Sequence, residues 1–138
     1  VCPVPGNGRY MRQPLYASDF SRIIVSCIEQ RVTGAVYNIS GRERVDYIDI
    51  ILEIKRATGA GSLIVKIPYG LFYLLLKTWA LFDRNPPFTA DQLKALVAHD
   101  EFEVIDCPAI FGVPATPFAQ AIHQTFNDPE YSSVVLEF

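Results

Sequence analysis

The stretch Arg12-Gln13-Pro14-Leu15-Tyr16-Ala17-Ser18-Asp19-Phe20 contains the pattern that decides the fold. Its first half predicts a short strand, and its second half predicts the beginning of a helix. Ser18 is a residue type that caps helices, and Asp19 puts a negative charge in the first turn, where the helix dipole favours it. The apolar residues that follow recur at helical spacing and form one face: Phe20, Ile23, Ile24, Cys27 and Ile28.

A second stretch, Gly34-Ala35-Val36-Tyr37-Asn38-Ile39-Ser40-Gly41, lies downstream. Residues 35–40 are short, apolar and partly β-branched, which is typical of a buried strand. Asp46 can cap the helix that follows, and Gly59 closes that helix. Leu63 to Ile67 is a further strand candidate, and the proline after it suits the first turn of another helix.

Capping patterns also predict helices in the second half. Thr89 and Gln92 form a capping box, which predicts a helix from about Ala90 to His99. Thr116-Pro117 begins a last helix that runs to about Asn127. Near the start of the chain, Gly6-Asn7-Gly8 predicts a turn between two extended pieces. The fold class is therefore mixed α and β, with about five helices and three or four short strands.

Composition narrows the class of protein. The 138 residues, half of them hydrophobic, fit a single domain over residues 1–138. A net charge of -3 with both signs interspersed gives no basic surface for nucleic acid. Three widely spaced cysteines without a CxxC pair favour neither a disulfide framework nor a metal site, and indicate reduced thiols in a cytoplasm. The chain begins without a basic and then apolar leader, so no signal peptide is visible in the sequence and we expect a cytoplasmic location.

The most apolar run extends from Leu71 to Phe82 and contains Lys77. It is far shorter than the roughly 20 residues that cross a bilayer, so we expect no membrane span. The run predicts a core helix. A helix lying on a membrane surface is the alternative, because its aromatic residues suit an interface.

These patterns resemble the C-terminal part of an extended short-chain dehydrogenase/reductase, the family of NAD-dependent nucleotide-sugar epimerases and dehydratases. In that family an Arg and then an aromatic residue or His precede an Asp that opens a helix, and Arg12, Tyr16 and Asp19 stand at that spacing. Residues 37–41 and 46–59 resemble the later strand and helix of the family. The resemblance implies a Rossmann-type α/β protein, of which this chain is the C-terminal, substrate-binding portion without the N-terminal dinucleotide-binding portion.

Two marks of the family are missing from this sequence. Gly6-Asn7-Gly8 lacks the third glycine and the following helix of a dinucleotide-binding loop. Tyr73 and Lys77 match the letters of the catalytic Tyr-x-x-x-Lys, but the family has that pair upstream of the Arg12 segment. We therefore predict no catalytic, cofactor-binding or metal-binding residue here. NAD or NADP would bind the parent protein, and we expect neither on this fragment.

The resemblance assigns substrate-binding roles to a few residues. Arg12 would bind a substrate diphosphate through paired donors, although a surface ion pair is the alternative. Gln13 could hydrogen-bond a ligand or face water, and Tyr16 could line a sugar pocket or be a half-buried strand aromatic. Arg84 stands near the family's Arg-x-Gly-Asp segment, but the glycine and aspartate of that segment are missing here.

Two functions follow as hypotheses. The first is the substrate-binding part of an NAD(P)-dependent nucleotide-sugar epimerase/dehydratase-like protein, inactive without its N-terminal Rossmann portion. The second is a non-catalytic accessory or interaction module, because residues 86–97 and 111–122 resemble the branch that contains a complex I accessory subunit. A homodimer through exposed apolar surface is a further alternative. The sugar, the nucleotide and the choice between NAD and NADP stay open.

Overall fold

The computed structural model of the chain describes residues 1–83, 88–98 and 101–132. Within them the strands are β1 (Cys2–Pro5), β2 (Met11–Arg12), β3 (Val45–Asp46) and β4 (Ile64–Ile67). The helices are α1 (Ala17–Glu29), α2 (Tyr47–Thr58), α3 (Tyr69–Phe82), α4 (Ala90–Val97), α5 (Cys107–Phe111), α6 (Phe118–Asn127) and α7 (Pro129–Ser132). The predicted mixed α and β class is confirmed. The sequence patterns predict α1, α2, α3, α4 and α6, but not the short helices α5 and α7.

The described strands form two separate two-stranded sheets. β1 pairs in parallel with β4, so that Cys2 faces Ile64, and β2 pairs antiparallel with β3. The turn predicted at Gly6-Asn7-Gly8 is confirmed, with Gly6 and Gly8 at φ values of 60° and 74°. The strands on either side of this turn pair with other parts of the chain rather than with each other.

Two prolines remove hydrogen-bond donors from the edge of β1 that faces away from β4. The N–H groups of Cys2 and Gly6 donate to carbonyls of the β4 segment, at 2.8 and 2.7 Å. Pro3 and Pro5 alternate with these donors and therefore lie at the positions whose nitrogens face away from β4. Because proline has no N–H, this edge offers no donors to a further strand.

The beginning of α1 differs from the prediction. Tyr16 is the N-cap residue and its side chain makes no capping hydrogen bond, so the predicted cap at Ser18 is wrong. Hydrogen bonds between Asp19 and Thr116, described below, hold this first turn from outside and outweigh the local capping preference. The predicted apolar face is only partly covered: Ile23 is 2% exposed, whereas Ile28 is 70% exposed.

The predicted strand at residues 35–40 is wrong. The structure assigns no strand there, and Val36 is 92% exposed. A strand needs a neighbour to satisfy its backbone groups, and the described residues place none alongside this segment. The segment is held instead by ring contact between Tyr37 and Phe111, at 5.0 Å between centroids.

Several local signals are confirmed. Gly59 ends α2 in the left-handed conformation, at φ 64°. Thr89 and Gln92 form the predicted capping box of α4, which ends at Val97, and His99 lies outside the described residues. Asp46 occupies the N-cap position of α2 as predicted, but its side chain makes no capping hydrogen bond.

The core is small and centres on α1 and α5. Ile23, Phe111 and Val113 form its buried cluster, against which Cys27 and Cys107 pack. The Ser26 hydroxyl adds a buried hydrogen bond to the Phe111 carbonyl at 2.7 Å. α2 packs against α6.

The prediction that residues 71–82 form a core helix is wrong in one respect. The helix exists as α3, but none of its residues is buried. It packs against α4 along one side, so most of its apolar side chains stay exposed. Among the described residues, no helix is long and apolar enough to cross a membrane.

Candidate functional site

A cavity of about 410 Å³ lies where three loops and two helix N-termini meet. Residues 14–17 form one wall, the turn at residues 41–43 forms the second, and residues 115–118 with α6 form the third. Both α1 and α6 begin at its wall. Such a volume falls in the range of about 300–1,000 Å³ that is typical of small-molecule sites.

Asp19 and Thr116 fix two of these walls to each other. The Asp19 carboxylate is 4% exposed and accepts from both the backbone N–H of Thr116, at 2.7 Å, and its hydroxyl, at 2.8 Å. Hydrogen bonds to an ionised carboxylate are stronger than neutral ones. The pair therefore positions the loop before α6 against the first turn of α1.

Gly41 supports the second wall through close backbone contact. Its N–H donates to the Gln13 carbonyl at 3.2 Å, and a Cβ at this position would lie 1.9 Å from the Pro14 carbonyl oxygen. Only glycine allows the two chain segments to approach so closely.

Arg42 and Glu43 bring charge to the cavity. The Glu43 carboxylate accepts from the backbone N–H of Phe118 at 2.7 Å, so it caps α6 from a distant part of the chain. Arg42 is the only cation among the described residues that line the cavity. A bound anion would therefore meet a guanidinium here, with its paired N–H donors.

Of the four predicted binding residues, Tyr16 lines this cavity. Arg12 instead lies at the C-terminal end of α4. Its guanidinium donates to the carbonyls of Ala98, at 2.7 Å, Ala95, at 3.3 Å, and Leu96. A cation at the end of a helix satisfies carbonyls that have no partner within the helix and interacts favourably with its dipole.

The Gln13 side chain joins two loops through hydrogen bonds. Its side-chain amide donates to the Phe102 carbonyl at 3.1 Å and accepts from the Phe102 N–H at 2.6 Å. These bonds direct the side chain toward protein backbone. Arg84, the fourth predicted binding residue, lies outside the described residues.

The structure adds Arg42, Asp19 and Thr116 to the site. Arg42 was not among the predicted binding residues, although a charged residue directly after the predicted glycine turn was a usable signal. Thr116 gave no such signal, because its partner Asp19 lies 97 residues away.

The Gly6-Asn7-Gly8 turn does not fit a dinucleotide pyrophosphate. A Cβ on Gly6 would lie 2.4 Å from the Tyr10 hydroxyl, and one on Gly8 would lie 2.9 Å from side-chain atoms of Val4 and Ile48. These glycines thus face the protein's own side chains. β2 follows the turn, whereas a phosphate-binding loop opens a helix.

Tyr73 and Lys77 lie on α3 and do not line the cavity. The Lys77 ammonium is 5.8 Å from the centroid of the Tyr73 ring, and that of Lys94 is 5.9 Å from it. The cation–π contact from Lys94 joins α4 to α3, whereas the contact from Lys77 lies within α3.

Cys107 lies beside a smaller cavity that adjoins Asp19 and Arg42. Burial raises the pKa of its thiol, and the negative charge of Asp106 raises that pKa further. Because the thiolate is the reactive form, we expect alkylation of Cys107 to need a more alkaline solution in the folded chain than in urea. A raised thiol pKa in the folded state also means that this group's contribution to stability falls at alkaline pH, once the unfolded thiol ionises.

Iodoacetamide labelling over a pH series, with mass spectrometry of the peptide that contains Cys107, measures the pH at which alkylation is half-maximal in the folded chain and in urea. The same pH midpoint in the folded and the unfolded chain would contradict a thiol pKa raised by burial.

Comparisons with known proteins indicate which class of protein the chain resembles. No family model matches the chain. A sequence match over part of the chain confirms the predicted resemblance to the NAD-dependent epimerase/dehydratase family. The relative is dTDP-glucose 4,6-dehydratase of Escherichia coli, which is 36% identical over 56 residues, covering 41% of this chain and 16% of that protein.

Among solved structures, UDP-glucuronic acid 4-epimerase from Bacillus cereus, in complex with NAD, aligns with a TM-score of 0.41 and 22% identity. The alignment covers 70% of this chain and 30% of that one. The match thus spans well under two thirds of the length of either relative, and the relationship rests on the sequence match.

Proposed function

We propose that the chain is the C-terminal, substrate-binding portion of an NAD-dependent nucleotide-sugar epimerase/dehydratase-like protein. The observation that carries the proposal is the cavity of about 410 Å³, whose otherwise largely apolar walls contain one guanidinium, one phenol and the carboxylates of Asp19 and Glu43. Both carboxylates accept hydrogen bonds from backbone N–H groups of the third wall. The related dehydratase acts, by its name, on a dTDP-sugar. A sugar nucleotide combines phosphate charge with a sugar that packs and hydrogen-bonds, and both chemistries are present in the cavity.

In this proposal Arg42 binds the diphosphate and Tyr16 contacts the sugar. The guanidinium offers paired donors to phosphate oxygens, and the phenol both packs and hydrogen-bonds. The bonds from Asp19 to Thr116 and from Glu43 to Phe118 hold the walls in position. Arg12, Gln13 and Arg84 stay predicted binding residues. To bind a ligand, the Arg12 guanidinium would have to break its hydrogen bonds to the carbonyls at the end of α4.

The cofactor would bind elsewhere in the whole protein. NAD, or NADP, together with the catalytic Tyr and Lys, would belong to an N-terminal Rossmann portion. Two features support such a missing neighbour: the exposed half of the α1 face, including Ile24 and Ile28, and the unpaired segment at residues 35–40. A covering domain would bury both. The chain by itself is then inactive, and NAD-dependent turnover by it alone would contradict this proposal.

Calorimetric titration with UDP-glucose and dTDP-glucose tests the site. We expect Arg42→Ala to weaken binding by about tenfold to a hundredfold, because a charge-assisted hydrogen bond contributes about 1.5–3 kcal/mol. Arg44→Ala is the matched control. Arg44 lies two positions further on, pairs with Glu101 at 2.6 Å and does not line the cavity, so its loss should leave affinity unchanged.

The same titration separates Arg42 from Arg12. We expect Arg12→Ala to lower thermal stability through loss of its bonds to α4 while leaving affinity unchanged. If Arg12→Ala abolishes binding and Arg42→Ala does not, the phosphate site lies at Arg12, as the sequence resemblance implied.

A non-catalytic interaction module is the second candidate function. The exposed leucine and aromatic side chains of α3 favour it, because such a helix needs a partner to cover it. Indifference of the full-length protein to every nucleotide sugar would support this candidate over the first.

A further inference from the structure

A polar groove of about 490 Å³ lies beside the cavity of the candidate site. α1 and α6 line its two sides, and residues 114–117 complete the lining. Tyr16 lines both the groove and the cavity. Ser18 of the groove and Thr125 of the cavity line one further pocket together with Tyr16. The space between the two helices therefore continues from the cavity to the groove around Tyr16.

The polar side chains of the groove form two rows. Ser18 and Arg22 are four positions apart on α1, and Gln120 and Gln124 are four positions apart on α6. Residues at this step share one face of a helix, so each helix presents a polar row to the groove. Asp128 follows four positions after Gln124 and extends the second row at the C-cap of α6.

These side chains are available to a ligand. In the part of the chain that the structure describes, the Ser18 hydroxyl, the Arg22 guanidinium and the two glutamine carboxamides of α6 have no hydrogen-bond or ion-pair partner. The Asp128 carboxylate accepts from the Glu130 N–H at 2.9 Å, which engages one of its two oxygens. The polar atoms of the groove are therefore largely uncommitted within the described fold.

The donors and acceptors of the groove fit a neutral sugar. A guanidinium donates, a carboxylate accepts and a carboxamide does both, which matches hydroxyl groups that donate and accept. Arg22 and Asp128 carry opposite charges, so the groove has no net charge to attract an anion or a cation. The Tyr16 ring supplies an apolar surface against which the C–H face of a sugar can pack.

The cavity by itself is small for a whole nucleotide sugar. Its volume of about 410 Å³ lies near the lower end of the typical range for ligand sites, whereas a nucleotide sugar combines a base, two phosphates and a sugar ring. Part of such a ligand must therefore lie outside the cavity. The groove is the neighbouring space whose chemistry suits the sugar.

We propose that the sugar ring lies in the groove, where Arg22 and the two glutamines of α6 bind its hydroxyl groups, while the diphosphate lies in the cavity at Arg42. This inference rests on the proposed function and adds to it a substrate class, a nucleoside diphosphate linked to a neutral hexose. Tyr16 lies between the two parts of the ligand, because it lines both spaces.

Calorimetric titration of the whole chain with UDP-glucose and with UDP separates the two parts of the ligand. Gln124→Leu removes a carboxamide from the groove and keeps a side chain that suits a helix. We expect it to weaken UDP-glucose binding by about threefold to tenfold, the effect of one neutral hydrogen bond, and to leave UDP binding unchanged. Arg22→Met should show the same selectivity with a larger effect, because a guanidinium makes charge-assisted hydrogen bonds.

His123→Leu is the matched control, since His123 lies on α6 and lines neither the cavity nor the groove. It should bind both ligands like the parent chain, and circular dichroism checks that every variant keeps its helices. Groove variants that bind UDP-glucose like the parent chain, or that lose UDP and UDP-glucose equally, would overturn this inference and leave the proposed function standing. If the parent chain binds neither ligand, the proposed function fails and this inference fails with it.

Discussion

Gly41→Ala is expected to destabilise the chain by about 3 kcal/mol, in the upper range for forcing atoms into occupied space. The new Cβ would lie 1.9 Å from the carbonyl oxygen of Pro14 and 2.5 Å from its carbonyl carbon. Backbone atoms cannot rotate away as the end of a side chain can, so the two segments must separate. The separation would also break the Gly41 to Gln13 hydrogen bond and deform the cavity wall.

Gly61→Ala is the matched control for this substitution. A Cβ on Gly61 meets no atom within 4 Å, and its φ is not positive. We expect no loss, or a gain of about 0.4–1 kcal/mol from a less flexible unfolded chain. Urea unfolding followed by circular dichroism measures both variants. Equal stability of Gly41→Ala and the parent chain would show that the two segments are free to move apart.

Asp19→Ala should cost about 3 kcal/mol of stability. It removes the carboxylate that accepts two hydrogen bonds from Thr116, and it leaves a part-buried N–H without its acceptor. Asp19→Asn keeps one side-chain oxygen and should lose about half as much. Both variants should also bind nucleotide sugars more weakly if the cavity is the site, because both bonding partners line it.

Asp91→Ala provides the comparison for a carboxylate in the first turn of a helix. Asp91 lies in the first turn of α4 and pairs with Lys94 at 3.0 Å on the surface. Exposed pairs contribute little, so we expect hardly any change in its unfolding midpoint. The same midpoint for Asp19→Ala and Asp91→Ala would rule out the structural role that we assign to Asp19.

The assignments of Arg12 and Arg42 show how much of the candidate site can be predicted from the sequence. The segment that contains Arg12, Tyr16 and Asp19 adjoins the cavity, since Tyr16 and Asp19 both line it, and the binding roles of Arg12 and Tyr16 stay predictions. The sequence pattern did not predict the partners of Arg12, because the Ala98 carbonyl lies 86 residues further along the chain. Spacing within one segment contains no information about which distant helix end will lie against it.

Residues 35–40 and α3 also show that sequence alone does not determine which segments are buried. Both segments are apolar, and both were predicted to be buried. Apolar character sets the tendency to avoid water, but burial also needs a neighbour of suitable shape. In the described residues Val36 is 92% exposed and Phe82 equally so.

The amino-acid sequence by itself determined the turn at Gly6–Gly8, the capping box of α4, the glycine end of α2, and the positions of β4 and α6. The turn, the capping box and the glycine end depend on interactions between residues a few positions apart. Local apolar and proline patterns located β4 and α6, although β4 also pairs with β1 and Glu43 caps α6. Only the tertiary structure decided that Asp19 joins Thr116, that Arg12 caps α4, and that Arg42 enters a cavity. Those contacts depend on how separate elements pack, and packing is a property of the whole fold.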